Sequence, residues 1–258
     1  MVLKVVLFSF TGIIIDDEEI RQTLSNQRLL DENLRPDEDD YTRLCLGRSD
    51  RACLKGLLAQ RGRTITDEAV DGLLAKGAIA YESWLNDLAE LPLYSGLDDL
   101  IERCRSAGIK LALVTGRQRP QVELVLERAG LSEYFSVIVA GDDVSAEGSK
   151  PAADGYVRAI EQLNVAYPEL KVAVDECIAI EDSFAGIEAA KAAGVPVVGV
   201  AHTYPHHMLL RRADWVVDYL REIKFGWIGE RFGGERVDID KPSEEILEEA
   251  VDVDESSD

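Results

Sequence analysis

No stretch of this chain is long and apolar enough to cross a membrane. A spanning helix needs roughly 18 consecutive apolar residues, and no hydrophobic run among the 258 residues approaches that length. The first residues also lack the basic stretch and small-residue cleavage site of a secretory signal. We therefore expect a cytoplasmic protein with no membrane insertion.

Cysteine is scarce, which limits the sites that the chain can build. The four cysteines are Cys45, Cys53, Cys104 and Cys177. They are scattered, with no C-x-x-C pair and no metal-ligand spacing, so we predict reduced and mostly buried thiols. We expect none of them to act as a nucleophile.

Basic residues are outnumbered, 28 against 49 acidic ones, and the formal net charge is −21. Such a field repels nucleic acid and anionic membrane surfaces, so neither is an expected partner. Part of the excess is local, because residues 235–258 hold eleven acidic and two basic residues, a net charge of −9. A ligand that carries phosphate would need local positive charge from lysine, arginine or a metal ion.

The hydrophobic pattern changes along the chain. An apolar first strand starts at Val5, and the spacing then becomes helical up to about residue 91, as at Leu54, Leu57 and Leu58. From residue 97 onward helices and strands alternate, and the predicted strands are 110–114, 135–140, 177–180, 197–201 and 215–217. This alternation predicts right-handed crossovers and a parallel sheet covered on both faces.

The predicted fold is therefore α/β, a Rossmann-like doubly wound parallel sheet with an inserted small helical cap. We assign the core to residues 1–15 and 94–222 and the cap to residues 16–93. Residues 223–258 would form an aromatic and acidic extension, partly disordered, that either solubilises the protein or docks a partner.

Polar side chains follow several of these strands at their carboxyl ends. They are Ser9 and Thr11, then Thr115, then Lys150 in the loop after the third strand, then Glu181 and Asp182. In a doubly wound sheet these ends open on one edge, so the side chains are expected to converge. The histidines, at positions 202, 206 and 207, follow the fifth strand. They could act as a base or bind a metal, or form a polar turn.

The order and contents of these segments resemble the haloacid dehalogenase-like hydrolases. The matching motifs are Leu113-Val114-Thr115-Gly116-Arg117, Ser149-Lys150-Pro151 and Ile180-Glu181-Asp182-Ser183. With a helical insert after the first strand, the similarity is to the capped branch that includes β-phosphoglucomutase-like and phosphoglycolate phosphatase-like enzymes. It covers about residues 4–220.

The resemblance implies a role for each motif. Thr115 and Gly116 would bind a phosphate, and Lys150 would neutralise the charge of the phosphoryl group. Glu181 and Asp182 would bind Mg²⁺, an ion that prefers carboxylate oxygen. Arg48, in a turn similar to the substrate-contacting turn of this branch, would reach the distal group of a ligand.

The first motif departs from the family pattern. The family places an aspartate nucleophile where this chain has Ser9, and an acid/base aspartate where it has Thr11. A carboxylate is ionised at neutral pH, whereas a serine hydroxyl must lose a proton and Thr11 cannot accept it. The nucleophile also ligates Mg²⁺ in the family, so the expected metal site is weakened.

Three hypotheses follow. The first is a pseudoenzyme that binds a phosphorylated small molecule or protein partner with little or no turnover. The second is an active Mg²⁺-dependent phosphatase or phosphomutase with an unorthodox site. The third is an assembly protein that docks partners through the acidic tail and the aromatic residues Phe225, Trp227 and Phe232.

Overall fold

The computed structural model describes residues 3–226, and within this range six parallel strands form one sheet. The strands are β1 (Val5–Phe8), β2 (Lys110–Val114), β3 (Phe135–Val139), β4 (Cys177–Glu181), β5 (Val197–Val200) and β6 (Trp215–Val217). Their order across the sheet is β3-β2-β1-β4-β5-β6. The predicted doubly wound α/β fold is confirmed, with β1 in the interior between β2 and β4.

Both faces of the sheet are covered, which explains why β1 is apolar at every position. Val6 and Phe8 pack into one cluster of buried residues, and Val5 and Leu7 pack into a second cluster. Since successive side chains of a strand point to opposite faces, a strand buried on both faces needs a continuous apolar run.

Nine α-helices occur in the described range. They are α1 (Glu18–Asp31), α2 (Glu38–Leu44), α3 (Asp50–Gln60), α4 (Asp67–Asp87), α5 (Leu97–Ser106), α6 (Arg119–Ala129), α7 (Asp154–Ala166), α8 (Phe184–Ala192) and α9 (His206–Leu209). Ser49 and Thr66 precede α3 and α4, and each hydroxyl accepts a hydrogen bond from a backbone N–H in the first turn. Such caps satisfy N–H groups that have no partner within the helix.

Helices α1–α4 follow β1 in the sequence and precede α5 and β2. They share a hydrophobic cluster of their own. Leu29 of α1, Leu57 of α3 and Leu74 of α4 are among its buried members. We call residues 16–93 the cap, as in the sequence analysis. The helical spacing of Leu54, Leu57 and Leu58 therefore corresponds to packing within the cap, whereas Leu85 near the end of α4 packs into the cluster on one face of the sheet.

The expectation of four reduced cysteines is wrong for two of them. Cys45, just after α2, and Cys53 in α3 form a disulfide, with their Cα atoms 4.4 Å apart. The chain reverses between the two helices and brings the residues together, which their spacing of eight residues did not indicate. Cys104 and Cys177 are free and buried, and burial raises the pKa of each thiol to about 12.

Two apolar side chains near the end of the described residues pack into the core. Ile223 and Phe225 are 2% and 3% exposed, and the guanidinium of Arg103 lies 5.8 Å from the centre of the Phe225 ring. Phe225 therefore cannot serve as the exposed docking residue that the third hypothesis requires. Trp227, Phe232 and the acidic tail lie outside the described residues. Within residues 3–226, no helix combines the length and apolar character needed to span a bilayer.

Candidate functional site

The polar groups that follow the strands meet at the carboxyl edge of the sheet. One cavity is lined by Ser9, Thr11, Glu18, Gly47, Thr115, Gly116, Arg117, Lys150, Asp182 and Ser183. Because β1, β2 and β4 are adjacent and parallel, their ends share this edge. A larger cleft of about 870 Å³ runs along α7 but contains none of these residues.

Lys150 is the best-connected side chain of the site. Its Nζ donates hydrogen bonds to Glu181 Oε1 at 2.5 Å, to the Val114 carbonyl at 2.8 Å and to Ser9 Oγ at 3.3 Å. Glu181 is fully buried, and the Tyr156 hydroxyl also donates to its Oε1 at 2.7 Å. Lys150 and Glu181 thus form a buried, hydrogen-bonded ion pair that holds the ammonium group beside position 9.

Asp182 faces the backbone of the first motif. Gly12 adopts a left-handed conformation, and a Cβ there would lie 1.9 Å from Asp182 Oδ2. The Thr203 hydroxyl donates a hydrogen bond to the same carboxylate. Burial raises the pKa of Asp182 well above its ordinary value, and the neighbouring charge of Glu181 raises it further.

The two hydroxyls of the first motif both line the cavity, although β1 itself ends at Phe8. Ser9 continues the ladder for one residue, since its N–H donates to the Ile180 carbonyl at 3.0 Å. Thr11 Oγ1 is buried and has no hydrogen-bond partner among the described residues. A buried hydroxyl without a partner is costly, so this atom marks a position where a ligand oxygen would be stabilising.

Thr115 holds the turn between β2 and α6. Its Oγ1 accepts a hydrogen bond from the Arg117 N–H at 3.1 Å, which leaves its own hydroxyl hydrogen for another acceptor. Gly116 follows, and a Cβ there would lie 2.3 Å from the Arg48 carbonyl oxygen. Glycine is therefore required by the close approach of the cap backbone.

The cap turn of residues 46–50 rests directly on this motif. The Asp50 N–H donates to the Gly116 carbonyl at 3.1 Å, and the Ser49 N–H donates to Ser149 Oγ at 2.7 Å. The Arg117 guanidinium pairs with Asp50 at 2.6 Å and donates to the Arg48 carbonyl at 2.8 Å. Arg48 thus contributes its main-chain oxygen, and its side chain is not among the groups that line the cavity.

Arg117 was assigned no role from the sequence, yet it joins the cap to the core. Its position directly after Thr115-Gly116 indicated that it lies next to the predicted phosphate-binding residues. Its partner Asp50 lies 67 residues away in the sequence, and only the fold brings the two side chains together.

Glu18 is the second residue that the sequence did not identify. It stands in the acidic run Asp16–Glu19, a pattern typical of a solvated helix start. In the structure it lines the cavity and accepts a hydrogen bond from the Tyr41 hydroxyl. Burial raises the pKa of Glu18, against the opposing effects of the Arg117 charge and the Tyr41 hydrogen bond.

The histidines lie outside this group in the described part of the chain. His202 Nδ1 is 2.7 Å from the Gly12 carbonyl oxygen, and its ring stacks on Tyr94. His206 is 3.0 Å from Asp218. None of the three lines the cavity.

The cavity has a volume of about 10 Å³, room for roughly one water molecule. A phosphate ester does not fit into that space. In this structure the turn of residues 46–50, bonded to Gly116 and Arg117, closes the cavity.

The residues present do not fit a tightly held Mg²⁺. Both carboxylates are already engaged, Glu181 by Lys150, Tyr156 and Ser183, and Asp182 by Thr203. Ser9 supplies a neutral hydroxyl where the family has a third carboxylate. Within residues 3–226 there is no cluster of three or more histidine, cysteine, aspartate or glutamate side chains that could hold a metal ion.

Comparison with known proteins agrees with this architecture. The family profile of haloacid dehalogenase-like hydrolases matches residues 6–200. The chain is 30% identical over 226 residues to validoxylamine A 7'-phosphate phosphatase of Streptomyces hygroscopicus, covering 88% of this chain and 98% of that protein. It is 27% identical over 220 residues to the protein CbbY of Rhodobacter capsulatus, covering 83% and 92%.

Solved structures show the same relationship. A CbbY variant from Rhodobacter sphaeroides, crystallised with xylulose-(1,5)bisphosphate, superposes with a TM-score of 0.71 at 26% identity, covering 85% of this chain and 96% of that chain. The β-phosphoglucomutase of Clostridium difficile shares the fold, with a TM-score of 0.77 at 22% identity over 90% and 98% of the two chains. The chain belongs to the haloacid dehalogenase-like hydrolase family, in its capped branch.

Proposed function

We propose that this protein binds a phosphorylated small molecule at the carboxyl edge of its sheet and turns it over little or not at all. The observation that carries the proposal is the environment of Ser9. Among the described residues its hydroxyl hydrogen bonds only to Lys150, a proton donor. No described residue that hydrogen bonds to the Ser9 hydroxyl can take its proton.

The consequence for catalysis is large. An aspartate at this position would attack phosphorus directly, because its ordinary pKa of about 3.9 leaves it ionised at neutral pH. A serine needs a base, and the hydroxyl of Thr11 does not provide one. Removing a covalent nucleophile from an enzyme costs up to about a million-fold in rate.

The residues expected to bind phosphate, Lys150 and Thr115, are retained. Lys150 supplies the positive charge that an acidic protein needs for a phosphate ligand, and Thr115 retains a hydroxyl hydrogen for a phosphate oxygen. The named relatives include a validoxylamine A 7'-phosphate phosphatase and a CbbY structure in complex with xylulose-(1,5)bisphosphate, and the two named compounds are phosphate esters of small molecules. A site covered by a helical cap is suited to a small molecule more than to a protein segment.

The proposal is tested by equilibrium titration with inorganic phosphate and p-nitrophenyl phosphate. We expect Lys150→Ala to weaken binding at least tenfold, and Thr115→Val to weaken it several-fold. Lys76→Ala is the matched control, because Lys76 is exposed on α4 of the cap. Equal binding by the parent and Lys150→Ala, with both proteins folded, would disprove the proposal.

A second function is favoured by one observation, the presence of Glu18 in the cavity. A buried carboxylate with a raised pKa is suited to accept a proton near neutral pH. In that case Ser9 would act as the nucleophile and Glu18 as its base. This function requires hydrolysis of p-nitrophenyl phosphate above background, lost in both Ser9→Ala and Glu18→Gln. Parent activity at background excludes it.

A further inference from the structure

Glu181, one of the two carboxylates expected to bind a metal ion, is enclosed in the core. It is fully buried and is not among the described residues that line the cavity. Its Oε1 accepts hydrogen bonds from Lys150 and Tyr156, and a Cβ on Gly186, in the first turn of α8, would lie 2.0 Å from its Oε2. The structure therefore uses this carboxylate to hold Lys150 rather than to line the ligand cavity.

The two departures from the family pattern change the charge of the site by the same amount as a bound Mg²⁺ ion. Ser9 and Thr11 stand where the family has two aspartates, so two negative charges are absent from this edge of the sheet. A phosphate group in a buried site is stabilised by positive charge and opposed by negative charge. Two hydroxyls without a metal ion therefore present the same net charge to a phosphate as two carboxylates with Mg²⁺.

The hydroxyls are also able to contact a phosphate directly. An ionised carboxylate only accepts hydrogen bonds, so it meets a phosphate oxygen only through a cation or a proton, whereas a hydroxyl donates. Thr11 Oγ1 is buried at the cavity and has no hydrogen-bond partner among the residues that the structure describes. The hydroxyl of Thr115 retains its hydrogen for an acceptor. Donors at the cavity thus match the acceptor oxygens of a phosphate.

Lys150 supplies the positive charge that these hydroxyls lack. Its Nζ is held by Glu181 at 2.5 Å and by the Val114 carbonyl at 2.8 Å, and its longest hydrogen bond, at 3.3 Å, goes to Ser9 Oγ. Ser9 and Lys150 both line the cavity. The least tightly used ammonium hydrogen therefore lies on the cavity side, where a phosphate oxygen would accept it.

We propose that this site binds a phosphate group without a divalent metal ion. Lys150 provides the positive charge, and the hydroxyls of Ser9, Thr11 and Thr115 donate hydrogen bonds to the phosphate oxygens. The inference rests on the proposed function and goes beyond it, because it states which groups take the place of the metal ion. It also assigns a binding role to the two hydroxyls of the first motif.

The first experiment measures the affinity for inorganic phosphate by calorimetric titration, in metal-stripped buffer and with Mg²⁺ at matched ionic strength. We expect the two Kd values of the parent to agree within about twofold. The variant carrying both Ser9→Asp and Thr11→Asp restores the two carboxylates. In metal-stripped buffer it should bind phosphate at least about tenfold more weakly than the parent, because the new charges repel the ligand, and Mg²⁺ should restore the affinity.

Thr11→Val tests the hydroxyl without a partner, because valine has nearly the shape of threonine and carries a methyl group in place of the hydroxyl. The variant should bind phosphate about three- to tenfold more weakly in metal-stripped buffer. Its ligand-free form should have a Tm about 2–4 °C above that of the parent, since a buried hydroxyl without a partner opposes folding. Thr64→Val is the matched control, because Thr64 is exposed in the cap, and it should leave the affinity unchanged.

The metal dependence separates this inference from the proposed function. If the parent binds phosphate only with Mg²⁺, or more than about twofold more tightly with it, the inference is wrong while the proposed function stands. An unchanged affinity in Thr11→Val, or tight binding by the folded double variant in metal-stripped buffer, also overturns it. If the parent binds no phosphate under either condition, the proposed function fails, and this inference fails with it. Thermal unfolding of each protein establishes that the proteins being compared are folded.

Discussion

Replacing Ser9 with aspartate tests whether the site lacks only its reactive carboxylate. Ser9 is 6% exposed and its Oγ lies 3.3 Å from Lys150 Nζ, which is 2.5 Å from Glu181. The new carboxylate would share one ammonium group with Glu181 and lie near Asp182. Three carboxylates would then face a single lysine in a buried space.

This crowding should destabilise the protein in the absence of metal. The carboxylates at positions 9 and 181 would both depend on the single charge of Lys150, which cannot fully compensate the two. We therefore expect Ser9→Asp to lower the free energy of unfolding by about 1–3 kcal/mol. In a domain of this size each kcal/mol corresponds to a fall in Tm of about 2–4 °C. Mg²⁺ should reverse the loss, because a cation held at one hundred times its Kd contributes about 2.7 kcal/mol.

The assay is thermal unfolding of the parent, Ser9→Asp and Ser9→Asn with and without Mg²⁺. Asparagine has the shape of aspartate without its charge, so it separates packing from electrostatics. We expect Mg²⁺ to raise the Tm of Ser9→Asp by several degrees and to leave the parent and Ser9→Asn within about 1 °C.

Adding Thr11→Asp to Ser9→Asp should then create phosphatase activity. With p-nitrophenyl phosphate and Mg²⁺ we expect the double variant to exceed the parent by at least about a thousandfold, since a missing nucleophile costs several orders of magnitude. If Mg²⁺ does not stabilise Ser9→Asp more than Ser9→Asn, and the double variant is no faster than the parent, the remainder of the site is not a functional phosphatase site.

Three further predictions concern stability. Burial lowers the pKa of His202, so its ring gains a proton at a lower pH in the folded protein than in the unfolded chain, where the ordinary pKa is about 6.5. The contribution of this group to stability should therefore fall below about pH 6.5, by at most about 1.4 kcal/mol per pH unit, and urea unfolding should show a smaller loss for His202→Gln than for the parent. Gly12→Ala should lower the free energy of unfolding by about 2–4 kcal/mol, because the new Cβ would clash with Asp182 and φ is +81°. Gly108→Ala is the control, since φ is +70° but a Cβ there meets no atom within 4 Å, and it should lower the free energy of unfolding by only about 1–2 kcal/mol. Similar losses in the two variants would contradict the clash. Cys53→Ser should lower the free energy of unfolding by about 2–3 kcal/mol without reductant, since the disulfide closes a short loop. With reductant present the parent also lacks the disulfide, so the difference should be much smaller. Equal stability of parent and variant without reductant would contradict a stabilising role of the disulfide.

Much of the fold could be predicted because local patterns and global architecture agree. Continuous apolar runs such as Val5–Phe8 indicate strands buried on both faces, and their alternation with helical spacing indicates parallel pairing. The convergence of Ser9, Thr115 and Lys150 on one cavity also followed, because the carboxyl ends of parallel strands share an edge. These inferences require only residue order and the geometry of a parallel sheet.

The rest of the site depends on contacts between residues distant in sequence. Arg117 acquires its partner Asp50 only when the cap packs on the core, and Glu18 becomes buried only by the same packing. The Cys45–Cys53 disulfide of the cap joins residues only eight apart, but it too depends on how α2 and α3 pack together.

The amino-acid order alone determined the sheet, the helical insert and the replacement of two expected carboxylates by Ser9 and Thr11. Only the tertiary structure decided what surrounds those hydroxyls. Lys150 is held by Glu181 beside Ser9, the cap turn closes the cavity, and Thr11 Oγ1 is left without a hydrogen-bond partner among residues 3–226. Burial and long-range pairing set these environments, and neither is encoded in the spacing of nearby residues.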